Sequence, residues 1–422
     1  MVERESVGAW TSPCGPEPAG LHEDARSATA APGTDWRLAA AMLASIAIFG
    51  FALGATYPLL SLALNARGIG DFLVGFNSAM AGAGLVASCC ALPLLLRRCG
   101  ALALMIGGLV ASAVTLLLFA ATDDLVAWFA LRLLLGFSLN AVFVLGEAWL
   151  NAVASDAGRG RMMGLCTTAN AAGFAAGPTL LLATGLEGWL PYVTCAAMIA
   201  AGVMPLVLVR RRAARYPLPP AHLRMIFAFF LGAPLLAVVV GAYAVFDAAA
   251  LALLPVYSVE VGWTPEQGAL AVSVFLFGMV FSQVPVGWLI DRFGRSPVLI
   301  ACCGVAASGL VVLPVSYGLA WLPWAVLFVV GGASYALYTA SLAVLGARYR
   351  DGRLVAGSAG FALLYGVGAV LGPFAYGGLM EHAAPQAFPY AASAMFVVLA
   401  LACIVFGLRR GMSAASQRPR AE

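Results

Sequence analysis

Three ionisable side chains, Arg132, Glu147 and Asp247, sit inside long apolar runs. A cation and two carboxylates so placed can bind a charged solute, hold an ion pair or carry a proton. Each needs a partner or a polar cavity, because an unpaired charge away from water is costly. Arg132, Gly136, Asn140 and Glu147 fall within about an 80° arc at 100° per residue, which makes one polar stripe down an apolar helix. Tyr243 and Asp247 are one turn apart on a second run. Tyr57, Ser61 and Asn65 repeat at helical spacing on another, and Tyr335, Tyr338 and Thr339 cluster on a fourth. Asp247 is the candidate proton carrier, with Arg132 steadying its charged form or an anionic substrate. The alternatives for Arg132 are a static ion pair with Asp247, snorkelling, or bonds to backbone carbonyls. Asn140, Tyr57, Asn65, Tyr243, Tyr335 and Tyr338 complete the candidate lining, and the tyrosines suit sugars or planar organic compounds.

The elements that must position these residues follow from composition. Of 422 residues, 62% are hydrophobic and only 10% charged, and the mean hydropathy is +0.95. A soluble chain is nearer half apolar and a quarter charged, so most of this surface must face lipid. Soluble enzymes, disordered chains and secreted disulfide scaffolds are excluded on that ground. Apolar runs of about 20 residues, the length that spans a bilayer as a helix, recur twelve times. They cover approximately 38–64, 72–96, 101–121, 125–153, 162–184, 190–209, 225–256, 268–290, 296–316, 321–346, 354–380 and 387–408. The expected fold is all-α and polytopic, with two six-helix bundles at 37–209 and 225–410. A polar tail at 1–36 reads as disordered and has no secretory signal pattern. A basic linker occupies 210–224 and a second tail 411–422.

Charge placement orients the chain. All 23 basic residues are arginine, and 21 of them fall on one side if both termini are cytoplasmic. The opposite loops hold Arg67 against Asp71, Asp123, Asp124, Glu187, Glu260, Glu266 and Glu381, as the positive-inside rule requires. Trp36, Trp128, Trp189, Trp263, Trp321 and Trp324 lie near span ends, where an aromatic belt is expected. Nine cysteines, mostly inside apolar runs, and three histidines, none of them mid-span, offer no metal spacing. No Gly-rich phosphate loop followed by lysine is present, so ATP-driven transport is not expected. No cofactor, metal, nucleic-acid partner or nucleophile–base pair of an enzyme is expected.

The two halves repeat. Gly173-x-x-x-Gly177-Pro178 recurs as Gly368-x-x-x-Gly372-Pro373, and Asp156 recurs as Asp351 at the same offset. Pro58-x-x-Ser61 matches Pro255-x-x-Ser258, and Arg97-Arg98-Cys99-Gly100 stands where Asp291-Arg292-Phe293-Gly294 stands in the second half. Parallel repeats of this kind put a substrate site between the halves near the midplane. The six glycine-motif residues suit close helix packing and a bend.

With this layout, the segment Gly287-Trp-Leu-Ile-Asp291-Arg292-Phe-Gly294-Arg295, Arg132-x-x-x-Gly136 and Gly173-x-x-x-Gly177-Pro178 resemble the major facilitator superfamily (MFS) across residues 38 to 410. Arg132 with Glu147 and the loop Asp156-Ala-Gly-Arg159-Gly-Arg161 resemble its YcaD-type branch. The resemblance implies that the first, fourth, seventh and tenth spans line a central cavity; the polar stripes fall on those four. It also likens Gly173-x-x-x-Gly177-Pro178 to the antiporter motif of proton-driven exporters. The family's gate motif usually lies between the second and third spans. Here Pro93 and Arg97 replace its Gly and Asp, and the intact copy is in the second half. Glu147, Asp291, Arg292 and Arg295 are therefore expected at an inner gate, Glu147 pairing with Arg159 or Arg295, and Gly294 permits the tight turn there.

The expected function is a secondary transporter of the bacterial inner membrane working by alternating access. It is expected to be proton-coupled and monomeric, bathed in membrane lipid, and to move a small molecule, with efflux favoured. A uniporter or an importer of a sugar-like or organic-anion solute is the alternative. A non-transporting receptor or sensor is the alternative from another class.

Overall fold

In a computed structural model the described residues are 35–154, 159–213, 234–348 and 351–416. Every regular element among them is a helix. The first half holds α1 (Trp36–Ala66), α2 (Asp71–Cys99), α3 (Ala101–Ala121), α4 (Leu125–Val153), α5 (Arg159–Ala176), α6 (Thr179–Thr184), α7 (Leu190–Ala201), α8 (Val203–Leu208) and α9 (Arg210–Ala213). The second holds α10 (Pro234–Glu260), α11 (Pro265–Phe293), α12 (Arg295–Ser316), α13 (Leu322–Arg348), α14 (Asp351–His382) and α15 (Ala387–Ser416).

Eleven of these stretches are continuous, long and apolar enough to cross a membrane. The fifth expected span is the exception. Pro178 lacks a backbone N–H and stops the ladder, so this span is two pieces, α5 and α6, with Gly177 and Pro178 between them. The sixth bends at Gly202, where α7 passes into α8. Two expected boundaries shift. Helix α15 runs to Ser416 through residues expected in the tail, and α9 puts the start of the linker in a helix. The 225–233 part of the seventh span, and Asp156 of the repeat, lie outside the described residues.

The packing repeats as the motifs do. α1 packs on α5, α2 on α4, α3 on α4 and α7; correspondingly α10 packs on α14, α11 on α13, α12 on α13 and α15. Glycine sets these approaches. A Cβ on Gly173 or Gly177 would overlap the α1 backbone at Ala47 or Phe51–Ala55, and one on Gly368 or Gly372 would overlap the α10 backbone at Ala244–Val245. A third pair, absent from the sequence reading, joins α2 to α4 through Gly84 and Gly136 and α11 to α13 through Gly278 and Gly331. Gly100 and Gly294, in the matching α2–α3 and α11–α12 turns, have φ of +77° and +86°, a conformation side chains rarely adopt.

The outer surface is apolar, as lipid contact demands: Val284 is 81% exposed, and Leu94, Val126, Val315 and Val398 are also exposed. Trp36, Trp189 and Trp321 are exposed too, whereas Trp263 and Trp324 are half-buried and Trp128 is buried. Trp128 is buried against Phe119 and carries the Arg67 guanidinium 4.9 Å from its ring, and Trp263 stacks on Trp324 at 4.3 Å.

The halves meet chiefly along α2 and α14, supported by α1 on α10 and by α5 and α6 on α11. Gly75 lets α2 approach the Pro373 carbonyl, and Phe72 meets Phe374 at 5.1 Å. At the same end, Glu381 of α14 accepts from the Phe72 N–H of α2 at 2.7 Å, capping α2 from across the interface. The Asp71 and Glu260 carboxyls are neighbours there. Three acidic residues expected in loops thus meet at this end of the bundle.

At the α1 N-terminus, Asp35 accepts from Leu38 N–H at 3.3 Å and from Arg212 of α9 at 3.1 and 3.3 Å. Burial pushes its carboxyl up, but the Arg212 and Leu38 bonds outweigh that and hold it below the ordinary range. A depressed carboxyl contributes stability above its unfolded pKa and loses it as pH falls through the folded value. Asp35→Asn is therefore expected to cost about 0.5–1 kcal/mol at neutral pH, the range of a partly exposed pair. The difference should vanish in acid; thermal unfolding at both pH values checks it, and a gap that persists in acid contradicts it.

Candidate functional site

The charges on α4 and α10 are buried in opposite halves of the bundle. Arg132 is 1% exposed and Asp247 3% exposed, so both are in the core rather than snorkelling. The Arg132 guanidinium lies 4.5 Å from the centroid of the Tyr57 ring on α1, a cation–π contact. Its Nη1 donates to the Thr56 carbonyl at 3.4 Å, whereas Nε and Nη2 have no hydrogen-bond partner among the described residues. Asp247 Oδ2 accepts from the Tyr365 hydroxyl on α14 at 2.8 Å. Tyr243, one turn back, approaches the same carboxylate, yet Oδ1 accepts no hydrogen bond.

Arg132 and Asp247 are not paired with each other: each is held by tyrosines and backbone of its own side. The Tyr57 hydroxyl lies within electrostatic reach of both. Around Asp247 the rings of Tyr243, Tyr335 and Tyr338 form a cluster with centroids 5.5 to 5.8 Å apart, and Phe361 follows at 6.1 Å from Tyr338. The site is thus a cation on one half and a carboxylate on the other, with an aromatic wall beside the carboxylate.

Tyr365 was not among the expected residues. Its only signal was a hydroxyl in a glycine-rich run of the eleventh span, outside the four spans taken to line the cavity. The α4 stripe also divides. Gly136 packs against Ala81 of α2, and the Asn140 amide donates to the Leu85 carbonyl at 3.3 Å and to Cys89 Sγ at 3.4 Å. Asn140 therefore serves the α2–α4 contact, and of the three only the long Arg132 side chain reaches α1. Asn65 is half-buried at the end of α1, about 12 Å along the axis from Tyr57 at 1.5 Å per residue.

Of the expected gate residues, the structure describes the side chains of Glu147 and Arg292. Glu147 is half-buried, within electrostatic reach of Tyr338 and Cys166. Its expected partners Arg159 and Arg295, and Asp291, have side chains outside the described residues. Arg292 is exposed, 5.8 Å from the Trp288 ring and 5.7 Å from Phe293. No group of three or more His, Cys, Asp or Glu side chains that could hold a metal ion occurs among the described residues.

The comparisons with known proteins agree with this layout. The Major Facilitator Superfamily model matches residues 42–261 and 235–422. A Bacillus subtilis protein named as the uncharacterized MFS-type transporter YfkF is 24% identical over 381 residues, 87% of this chain and 93% of that protein. The YcaD protein of Escherichia fergusonii, also named an uncharacterized MFS-type transporter, is 25% identical over 289 residues, 66% of this chain and 70% of its own length. Among solved structures, the nucleoside transporter NupG superposes with a TM-score of 0.69 at 14% identity, covering 88% of this chain and 98% of its own. The D-xylose-proton symporter does so with a TM-score of 0.66 at 16% identity, covering 87% and 97%.

A two-half, twelve-span bundle with a buried cation in one half and a buried carboxylate in the other is the architecture of a membrane transporter. The chain belongs to the major facilitator superfamily, and it is a transporter rather than an enzyme.

Proposed function

We propose that this chain is a proton-coupled secondary transporter that exchanges protons for a small molecule, in the direction of efflux. The carrying observation is Asp247, a buried carboxylate whose Oδ1 has no partner and whose Oδ2 rests on a tyrosine that can donate but cannot neutralise it. Such a group accepts a proton or a cationic solute group, and competition between the two at one oxygen couples their movements in opposite directions. Arg132, on the other half, holds the solute's acceptor end. The bundles at 37–209 and 225–410 rock about this centre. Glu147, Asp291, Arg292 and Arg295 form the inner gate and the Asp71–Glu260–Glu381 end the outer one. The arginine distribution favours an inner-membrane protein with both termini in the cytoplasm, working as a monomer.

The Asp247→Asn variant tests the coupling. Proteoliposomes enclosing a pH-sensitive dye receive sugars, organic anions, lipophilic cations or amino acids in turn. Wild type is expected to move protons when its solute is added. Asp247→Asn should move at least about tenfold fewer, the effect typical of losing a positioned proton-transfer group, with any residual counterflow independent of pH. Wild-type counterflow that does not vary with pH would instead make the chain a uniporter, and ligand binding without counterflow a sensor.

A further inference from the structure

We infer that the solute is zwitterionic: a small molecule bearing a carboxylate that docks on Arg132, an ammonium that docks on Asp247, and an apolar or aromatic body between them. This deepens the transporter reading above and rests on it.

The guanidinium geometry identifies the carboxylate end. Arg132 spends Nη1 on the Thr56 carbonyl and leaves Nε and Nη2 unpaired. Those two donors are one edge of the planar fork, side by side, which matches the two oxygens of a carboxylate. A sugar hydroxyl or a lone carbonyl would satisfy one of them and leave the other bare, at the cost of an unmade hydrogen bond in a buried setting. The Tyr57 ring covers the guanidinium face, so the ligand approaches along this edge.

The other end differs in sign. Among the described residues Asp247 Oδ1 is unpaired and the carboxylate has no cation in contact: the groups around it are the tyrosines Tyr243, Tyr335, Tyr365 and Tyr57. A buried anion in that setting is complemented by a charged donor, and the rings of Tyr243, Tyr335 and Tyr338 offer an ammonium cation–π surface beside it. One unpaired positive edge and one unpaired negative oxygen, on opposite halves, require separated opposite charges in a single ligand. A simple anion would leave Asp247 compensated only by a proton, and a simple cation would leave Arg132 uncompensated. Because the two charges belong to different halves, such a ligand also bridges them, which is what alternating access needs from its cargo.

The test compares three probes of one body on purified protein in thermal-shift titrations: phenylalanine, phenylethylamine and 3-phenylpropionate. Leucine, the dipeptide Ala-Phe and ω-amino acids of increasing length vary the charge separation. At least one zwitterion is expected to stabilise wild type at concentrations at least tenfold below those needed for the matching amine or acid. Arg132→Gln should erase the advantage of the zwitterion over the amine, and Asp247→Asn its advantage over the acid. Equal binding of the zwitterion and either single-charge probe, or no response to any zwitterion, overturns the assignment. The same panel run as counterflow in proteoliposomes separates the two levels. Movement of a sugar or a simple anion, sensitive to either variant, overturns the zwitterion and leaves the transporter standing. Movement of no compound of any class overturns both.

Discussion

Gly372→Val is expected to lower the unfolding free energy by about 2–3 kcal/mol, the upper range for overpacking a filled contact. Its added carbon would overlap the Val245 carbonyl and press on the Val245 Cα at 3.2 Å, backbone atoms that no rotamer can move. The α14 helix must then lift from α10, and Tyr365 and Asp247, on these two helices, must part from their 2.8 Å hydrogen bond. The same substitution at Gly177, where the obstructing atoms are the Ala55 nitrogen and the Phe51 carbonyl oxygen at 2.6 Å, should cost a similar amount in the other half. Gly107→Ala is the control: it is helical, a Cβ there meets nothing within 4 Å, and no loss is expected. Thermal unfolding of the detergent-solubilised protein measures all three. An unchanged melting temperature for Gly372→Val and Gly177→Val would mean that the helices do not approach as closely as the structure has them.

That expectation separates two meanings of one motif. Gly173-x-x-x-Gly177-Pro178 resembles an antiporter signature, yet Gly368-x-x-x-Gly372-Pro373 makes the same kind of contact in the half that carries no such resemblance. Close approach of the fifth span to the first, and of the eleventh to the seventh, accounts for both pairs of glycines without reference to coupling.

The same residues show what a sequence can convey. Charges inside apolar runs announce themselves because their cost is large wherever the helix turns, so Arg132 and Asp247 were legible without coordinates. Long apolar runs gave the spans for the same reason. The fifth span looked continuous because a hydropathy window does not register that Pro178 interrupts a backbone ladder. Helical periodicity gave Gly136 and Asn140 the right angle relative to Arg132 but could not say that α2 lies on that side. Tyr365 was missed because a tyrosine costs little in a membrane helix, and only its 2.8 Å bond to Asp247 sets it apart. Position near a span end likewise cannot distinguish a ring facing lipid from one buried against another ring, as Trp128 is against Phe119.

Arg132→Met should reduce transport by at least about thirtyfold while leaving the protein as stable as wild type or more stable. The two effects have one cause. A guanidinium 1% exposed, with two unpaired nitrogens and no carboxylate in contact, is desolvated without full compensation. Replacing buried charges by apolar side chains of similar volume is often neutral or stabilising by about 1–4 kcal/mol. Methionine also keeps contact with the Tyr57 ring through a polarisable sulfur. What it cannot do is bind an anionic group, and losing a charged hydrogen-bonding partner in a buried site costs about 2–5 kcal/mol of binding, more than tenfold in affinity. Arg132→Lys refines the point: it restores charge without the two-nitrogen edge. If the edge is what the ligand uses, lysine should recover less than a tenth of wild-type flux. The opposite pattern, in which methionine unfolds the protein and lysine restores full transport, would make Arg132 a structural cation held by Tyr57 and Thr56, and the centre of the site would then have to move to Asp247 and its tyrosines.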